Sequence, residues 1–395
     1  MLKSLFFTAI LVISLNSILM AQYDVNEDES KVPPLALPDP FISKEGKVIT
    51  SISEWENIRR PELINLFTEE VYGPIPGDFD EIKFEEVSES QNPLEGLAIF
   101  KEIDIRVSRK GQKHSMRLNL FLPQNSSKPS PVILLVNHRE KSEDGKIAED
   151  GYWPVENIIK RGFATASFHG ETVAPDDAER FSEGVISNLY PEELPNPAGM
   201  RTFGAWGWAA MRAMDYFEKD PLIDAKKSTI VGHSRSGKTA LWTGAIDERW
   251  SVVISNESGC GGAALSRRKF GETVKIINNA FPHWFNDNFK NYADHEESLP
   301  IDQHMLAMMM APRSVYFSSA REDRWADPKG EYLSLKIGSR IYSEIYEQPV
   351  AFPDDFENLK APVLQKHSGY HIREGKHNLT LEDWNHFMDF IELNQ

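Results

Sequence analysis

The residue best placed to act as a nucleophile is the serine in Gly232-His233-Ser234-Arg235-Ser236-Gly237-Lys238. Lys227-Ser228-Thr229-Ile230-Val231 before it reads as a strand, and Thr239 to Ala245 after it reads as a helix. Strand, sharp turn and helix, with serine at the apex, form a nucleophile elbow: the tight turn demands small neighbours, strains the serine and lifts its Oγ clear of the sheet. The spacing departs from the usual G-x-S-x-G, because position 236 is serine and the second glycine comes at 237. The bland alternative is a βα turn with a serine helix cap.

A serine hydroxyl needs a base to take its proton. In this kind of elbow the partners follow in the order serine, acid, histidine. His377 suits the base, since it lies in a loop beside Gly375 just before the last helix; His371 is the alternative, but it falls in a strand-like stretch. Two acids compete, Glu257 and Asp323, each ending a strand. Either would hold the imidazole tautomer and stabilise the imidazolium. Each of these residues could instead be an ordinary solvated loop side chain. An oxyanion needs donors aimed at the developing charge. The Arg235 N–H is the first candidate, and the Arg235 guanidinium is a second unless it serves a surface ion pair. No His/Asp/Glu cluster has metal spacing and no glycine-rich phosphate loop is present, so neither metal nor cofactor is expected.

These groups need strands that end in loops, because in open α/β sheets catalytic groups gather at the carboxyl ends of the strands. Pro131 to Val136 and Phe163 to Phe168 are continuous apolar runs, the pattern of buried parallel strands. Val252 to Ser255 and Ser314 to Ser318 read as further strands. Leu97 to Val107 and Met116 to Leu122 alternate around Gly111-Gln112 and predict an antiparallel hairpin. Helices are expected within 52–72, over Val155 to Lys160 and Phe203 to Phe217, over His304 to Met310 and 331–346, and from about Thr380, where Thr380 and Asp383 make a capping pair. Residues 263–300 are aromatic and irregular and read as an insertion over the site. Strands alternating with helices predict an α/β-hydrolase fold, an α/β class with a mostly parallel sheet and helices on both faces.

The 395 residues suit one large domain. Residues 1–21 read as a secretory leader: Lys3 is followed by a largely apolar run that ends at Ala21. Residues 22–50, acidic and then proline-rich, read as an extended arm, leaving 51–395 as the catalytic domain. Export follows, to periplasm or medium, with no membrane attachment after cleavage. A net charge of −17 argues against nucleic acid or anionic membrane as partner. Cys260 is the one cysteine, so no intrachain disulfide forms, and the residue reads as a small buried hydrophobe.

Several motifs together resemble the glucuronoyl esterases, carbohydrate esterase family 15. They are Gly232-His233-Ser234-Arg235 with Gly237-Lys238-Thr239-Ala240-Leu241-Trp242, and Asn256-Glu257-Ser258-Gly259, which places the acid 23 residues after the serine. Arg59-Arg60-Pro61-Glu62, Glu70-Val71-Tyr72-Gly73, Phe281-Pro282-His283-Trp284-Phe285, Trp325 to Gly330, and Gly375-x-His377 with Glu382-Asp383-Trp384 extend the likeness over nearly all of 22–395. The resemblance implies a serine esterase that cleaves esters between 4-O-methyl-glucuronic acid on glucuronoxylan and lignin alcohols. It implies Ser234 as nucleophile, His377 as base, Glu257 as acid, Asp323 as alternative or auxiliary acid, and Arg235 at the oxyanion. Lys238 and Trp325 would contact the sugar, with Trp284 and His169 as further substrate contacts. His233 stands where fungal members carry a disulfide-bonded cysteine, so the chain is like the bacterial branch. A monomer acting on glucuronoxylan and lignin–carbohydrate complexes is expected. The rival readings are an acetyl-xylan or feruloyl esterase, and a non-catalytic carbohydrate-binding protein on the same scaffold.

Overall fold

The structure, a computed structural model, describes residues 25–90, 93–124, 126–139 and 151–395. The leader expected at 1–21 and the first residues of the arm lie outside them.

Among the described residues, ten strands form one sheet: β1 (Glu81–Ser90), β2 (Ala98–Arg109), β3 (Gln112–Pro123), β4 (Ser130–Asn137), β5 (Ala164–His169), β6 (Ile223–His233), β7 (Val252–Asn256), β8 (Ser314–Ala320), β9 (Val363–Gln365) and β10 (Ser368–Arg373). Their order is β1-β2-β3-β5-β4-β6-β7-β8-β10-β9. The run β5-β4-β6-β7-β8-β10 is parallel throughout, and the antiparallel pairs lie towards its two edges.

The apolar run of β4 shows why the sheet is covered on both sides. Successive side chains of a strand point to opposite faces. Val132, Leu134 and Val136 enter one buried cluster, while Ile133 and Leu135 enter another. On the first face lie helix α2 (Thr202–Phe217) and helix α3 (Arg235–Ile246). On the second lie α1 (Val155–Lys160) and α5 (Leu381–Leu393), the latter through Trp384, Phe387 and Ile391. Each such side chain contributes about 1.5–3 kcal/mol on full burial, which anchors the strand ends that carry the chemistry. Helices α2 and α3 approach closely at Gly207, where a Cβ would stand 2.8 Å from Thr243 Oγ1. That contact seats α3, and with it the turn that begins it.

Three features differ from the sequence reading. Strand β1 was not expected: it is an edge strand, mostly exposed and rich in Glu, and its apolar alternation stops after Ile82 and Phe84, too short a run to mark a strand. The stretch 331–346 is two helices, α4 (Pro328–Gly338) and a short one over Arg340–Glu344. The insertion 263–300 is largely core, with Trp284, Phe285 and Phe289 buried. The arm, described from residue 25, lies against the domain. Arg268 meets Glu29 at 2.5 Å, Arg59 Nε donates to Pro40 O at 2.9 Å, and Phe41 and Ile49 are buried.

Candidate active site

Ser234 occupies the apex between β6 and α3 with φ 57° and ψ −125°, a backbone region that costs a non-glycine residue and persists only where its surroundings hold it. Its N–H is bound by Asn256 O at 2.8 Å, which ties the elbow to the end of β7. The shifted second glycine has a packing reason. A Cβ at Gly237 would stand 2.8 Å from Ser258 Cβ and 2.9 Å from Ser255 Oγ. At 236 a side chain fits, and Ser236 Oγ lies 2.5 Å from His138 Nδ1. A Cβ at Gly232 would collide with the Ser236 carbonyl oxygen, so the first glycine is required by the turn itself.

Both candidate acids reach the candidate base. The His377 Nδ1–H donates to Asp323 Oδ2 at 2.6 Å, and Glu257 Oε2 lies 3.2 Å from the same nitrogen. Both contacts fall on Nδ1, and neither carboxylate meets Nε2. The His377 side chain is 33% exposed, whereas Glu257 is 1% exposed. Burial alone would lower the His377 pKa, but Asp323 and Glu257 outweigh it and raise it well above 6.5. Burial pushes the Glu257 carboxyl up, to about 7, against the pull of His377 and Arg373. His233 packs on the other side, its ring centroid 4.5 Å from that of His377, and burial holds it well below 6.5 and so neutral. His371 lies inside β10, with its Nε2–H donating to Asp383 at 2.9 Å, so it is part of the core and not the base.

Arg235 heads α3 beside the elbow. Its guanidinium lies 4.8 Å from the Trp284 ring centroid and forms an ion pair with Asp176. Trp284 in turn stacks on Phe281 at 3.7 Å. Asp176 also accepts from Trp284 Nε1 at 2.5 Å and from His283 Nε2 at 2.8 Å. Burial opposes ionisation of Asp176, yet His283, Arg235 and Trp284 hold its carboxyl well below the usual carboxylate range. Arg235 Nε is buried and has no hydrogen-bond partner among the described residues. Trp284, expected as a substrate contact, is 4% exposed and forms a platform under Arg235.

Lys238, one turn further along α3, is 4% exposed. Its Nζ donates to Ser258 O and lies 4.0 Å from Glu272 Oε2. Burial lowers the Lys238 pKa, and burial raises that of Glu272. Glu272 N–H donates to Trp325 O at 2.9 Å, so Lys238, Glu272 and half-buried Trp325 form one wall. His169 ends β5 beside Asn137 of β4, at the same sheet edge, with its Nε2–H donating to Arg139 O at 2.8 Å.

Sequence reasoning missed Asp176 and Glu272. Both lie in stretches without periodicity, and Asp176 stands beside Asp177 among other acids, so no signal along the chain singles it out. Glu257, Asp323 and His377 are also a grouping of metal-ligating types within 4.8 Å of one another. Their donor atoms are engaged with each other, and the 2.6 Å contact leaves no room for an ion between them.

The chain as a whole is similar to known proteins. A family model described as "Glucuronyl esterase, fungi" matches residues 105–345. Carbohydrate esterase MZ0003, from an unknown prokaryotic organism, is 37% identical over 401 residues, covering 93% of this chain and 91% of the relative. A solved glucuronoyl esterase from Solibacter usitatus superposes with TM-score 0.83 at 36% identity, over 92% of this chain and 99% of that one. A promiscuous CE15 esterase from a marine bacterial metagenome gives 0.85 at 36% identity, over 94% of this chain and 100% of that one. With that identity sustained over nearly the whole fold, the chain belongs to the glucuronoyl esterases, carbohydrate esterase family 15.

Proposed function

We propose that this protein is a serine esterase that hydrolyses the ester between the C6 carboxyl of 4-O-methyl-glucuronic acid on glucuronoxylan and an alcohol, with lignin alcohols as the natural leaving groups. The observation that carries the reading is the convergence on one strand edge of a strained Ser234, a His377 held at Nδ1 by Asp323, and the Arg235 guanidinium on its Trp284 shelf. Relatives point the same way, since a curated relative from Schizophyllum commune, 25% identical over 78% of this chain and 74% of its own length, is named 4-O-methyl-glucuronoyl methylesterase.

His377 Nε2 takes the Ser234 proton as Oγ attacks the ester carbonyl carbon. The oxyanion is met by the Arg235 N–H, with the Arg235 guanidinium beside the elbow as the second donor. The carbon–alkoxy bond breaks, the leaving oxygen takes the proton from His377, and the glucuronoyl group remains on Ser234. Water repeats the sequence: His377 takes its proton, the hydroxyl adds to the acyl carbon, and the acid departs as Ser234 regains a proton. Asp323 and Glu257 stabilise the imidazolium in both halves. Lys238, Glu272 and Trp325 hold the sugar hydroxyls, a need that an acetyl esterase does not have on its acyl side.

A second reading is a broader ester specificity, favoured by the solved neighbour described as promiscuous. The test compares benzyl glucuronate with p-nitrophenyl acetate, for the parent and for Ser234→Ala. Glucuronate hydrolysis that falls by more than about a thousandfold in Ser234→Ala is the expected result. Activity on acetate alone would overturn the acyl group, and no activity on either would favour a carbohydrate-binding scaffold. The enzyme is further proposed to act outside the cytoplasm as a monomer.

A further inference from the structure

One buried cation stands behind the base and has no part in the steps above. Arg373 ends β10 and is 5% exposed. Its Nη2 donates to Glu257 Oε1 at 2.5 Å and to Asn378 O at 2.6 Å. Its Nε donates to Asp383 Oδ2 at 3.0 Å, and its Nη1 to Glu374 O at 3.1 Å. Asp383 in turn accepts the N–H and the hydroxyl of Thr380, closing the capping box of α5. One guanidinium therefore joins the end of β7, the end of β10, the loop that carries His377 and the start of the last helix.

The two oxygens of Glu257 have different duties. Oε1 faces Arg373, while Oε2 accepts from the Asn378 N–H at 3.0 Å and lies 3.2 Å from His377 Nδ1. Asp323 meets the same nitrogen more closely, at 2.6 Å. Two carboxylates beside one imidazole repel each other, and a buried carboxylate without a counter-charge is costly. Arginine suits the task because its charge is permanent and its planar fork fixes direction.

Resting on the reading of His377 as the base, we propose that Arg373 is a positioning residue that anchors Glu257 and offsets its charge, leaving Asp323 to answer the charge that develops on His377. The charged and titratable groups around it include Glu257 just after β7, Asp383 from α5, His371 from β10 behind Asp383, His377 and Asp323 beyond Glu257, His233 packed on His377 and Arg139 bound to Asn378. Glu331 of α4 adds a further buried carboxyl near Glu257 and Asp323. Without the guanidinium, the negative potential at Glu257 and His377 deepens. Whichever of the three groups takes the proton, the cluster then holds it to higher pH, and the neutral imidazole needed for catalysis appears later in a titration.

Arg373→Met is expected to lower kcat more than it raises KM and to move the acidic limb of kcat/KM upward by about one pH unit. Arg373→Lys restores part of both, since it returns the charge without the fork. In a Glu257→Gln background most of the pH shift disappears, because the carboxylate that Arg373 offsets is gone. An unchanged limb in Arg373→Met, or the same shift in both backgrounds, would overturn the proposal and leave Arg373 a fold-stabilising residue. If Arg373→Met does not fold, Arg373→Lys is read against the same criteria. The imidazole titration of His377, followed by NMR on histidine-labelled protein and assigned with His377→Gln, needs no substrate. A wrong substrate would leave that titration shift in place, whereas a wrong role for Arg373 would abolish it.

Discussion

At the scale of single residues, the site is an imidazole shared between two carboxylates. Serine, base and acid were each nameable from sequence, but the choice between Glu257 and Asp323 was left open, and the structure shows why: both touch His377 Nδ1. Glu257→Gln and Asp323→Asn should each cost less than the roughly ten-thousandfold that losing a lone triad acid costs. The double substitution should exceed the product of the singles, because His377 then loses its last orienting partner. Steady-state kinetics on the three variants decide this, and a simple product would mean that the acids act independently. Each single change removes negative charge beside His377, so the acidic limb of kcat/KM should move to lower pH. Asp176 is the second such case. Asp176→Asn weakens the hold on Arg235, and the expected loss in kcat is smaller than the roughly hundred- to thousandfold cost of deleting an oxyanion donor, with KM little changed. Loss confined to KM would show that Arg235 serves ground-state binding.

At the scale of elements, the elbow is a packing solution as much as a catalytic one. Gly237→Ala would press a methyl group onto Ser258 and Ser255 and should destabilise the fold by about 1–3 kcal/mol, with activity falling as Ser234 shifts. Ser236→Gly, which would restore the common G-x-S-x-G spacing, should not help. It leaves His138 without its serine partner, a buried loss of about 1–3 kcal/mol. Denaturant unfolding of the two variants measures both effects, and a Ser236→Gly protein as stable as the parent would show that the His138 contact is inert. The elbow was legible because a strand, a tight turn and a helix leave a local signature. The Arg235 shelf was not, since Asp176 lies more than a hundred residues from the adjacent His283 and Trp284, in a stretch without periodicity.

At the scale of the whole molecule, buried ionisable groups give stability a pH dependence of opposite signs. Glu257 binds its proton more tightly folded than unfolded, so its contribution is fully present below pH 4.5 and is lost as pH climbs to about 7. The melting temperature of the parent should therefore fall relative to that of Glu257→Gln across that window. Parallel curves for the two proteins would refute the assignment. Asp176 works the other way: its contribution is present above pH 3.8 and is lost as pH falls below it. Differential scanning fluorimetry from pH 3 to 8 reads both trends in one series.

Local patterns along the chain were enough to read the class of the fold, the parallel strands and the candidate serine, histidine and acids. Apolar runs bury strands, and the tight turn between β6 and α3 can be built by few residues. How the side chains divide their work follows from packing in three dimensions. That packing brought Asp323 and Glu257 to one nitrogen, buried Trp284 beneath Arg235, set Lys238 against Glu272, and placed Arg373 behind the base. Distances between side chains from different strands depend on register and packing across the sheet, and no spacing along the chain encodes them.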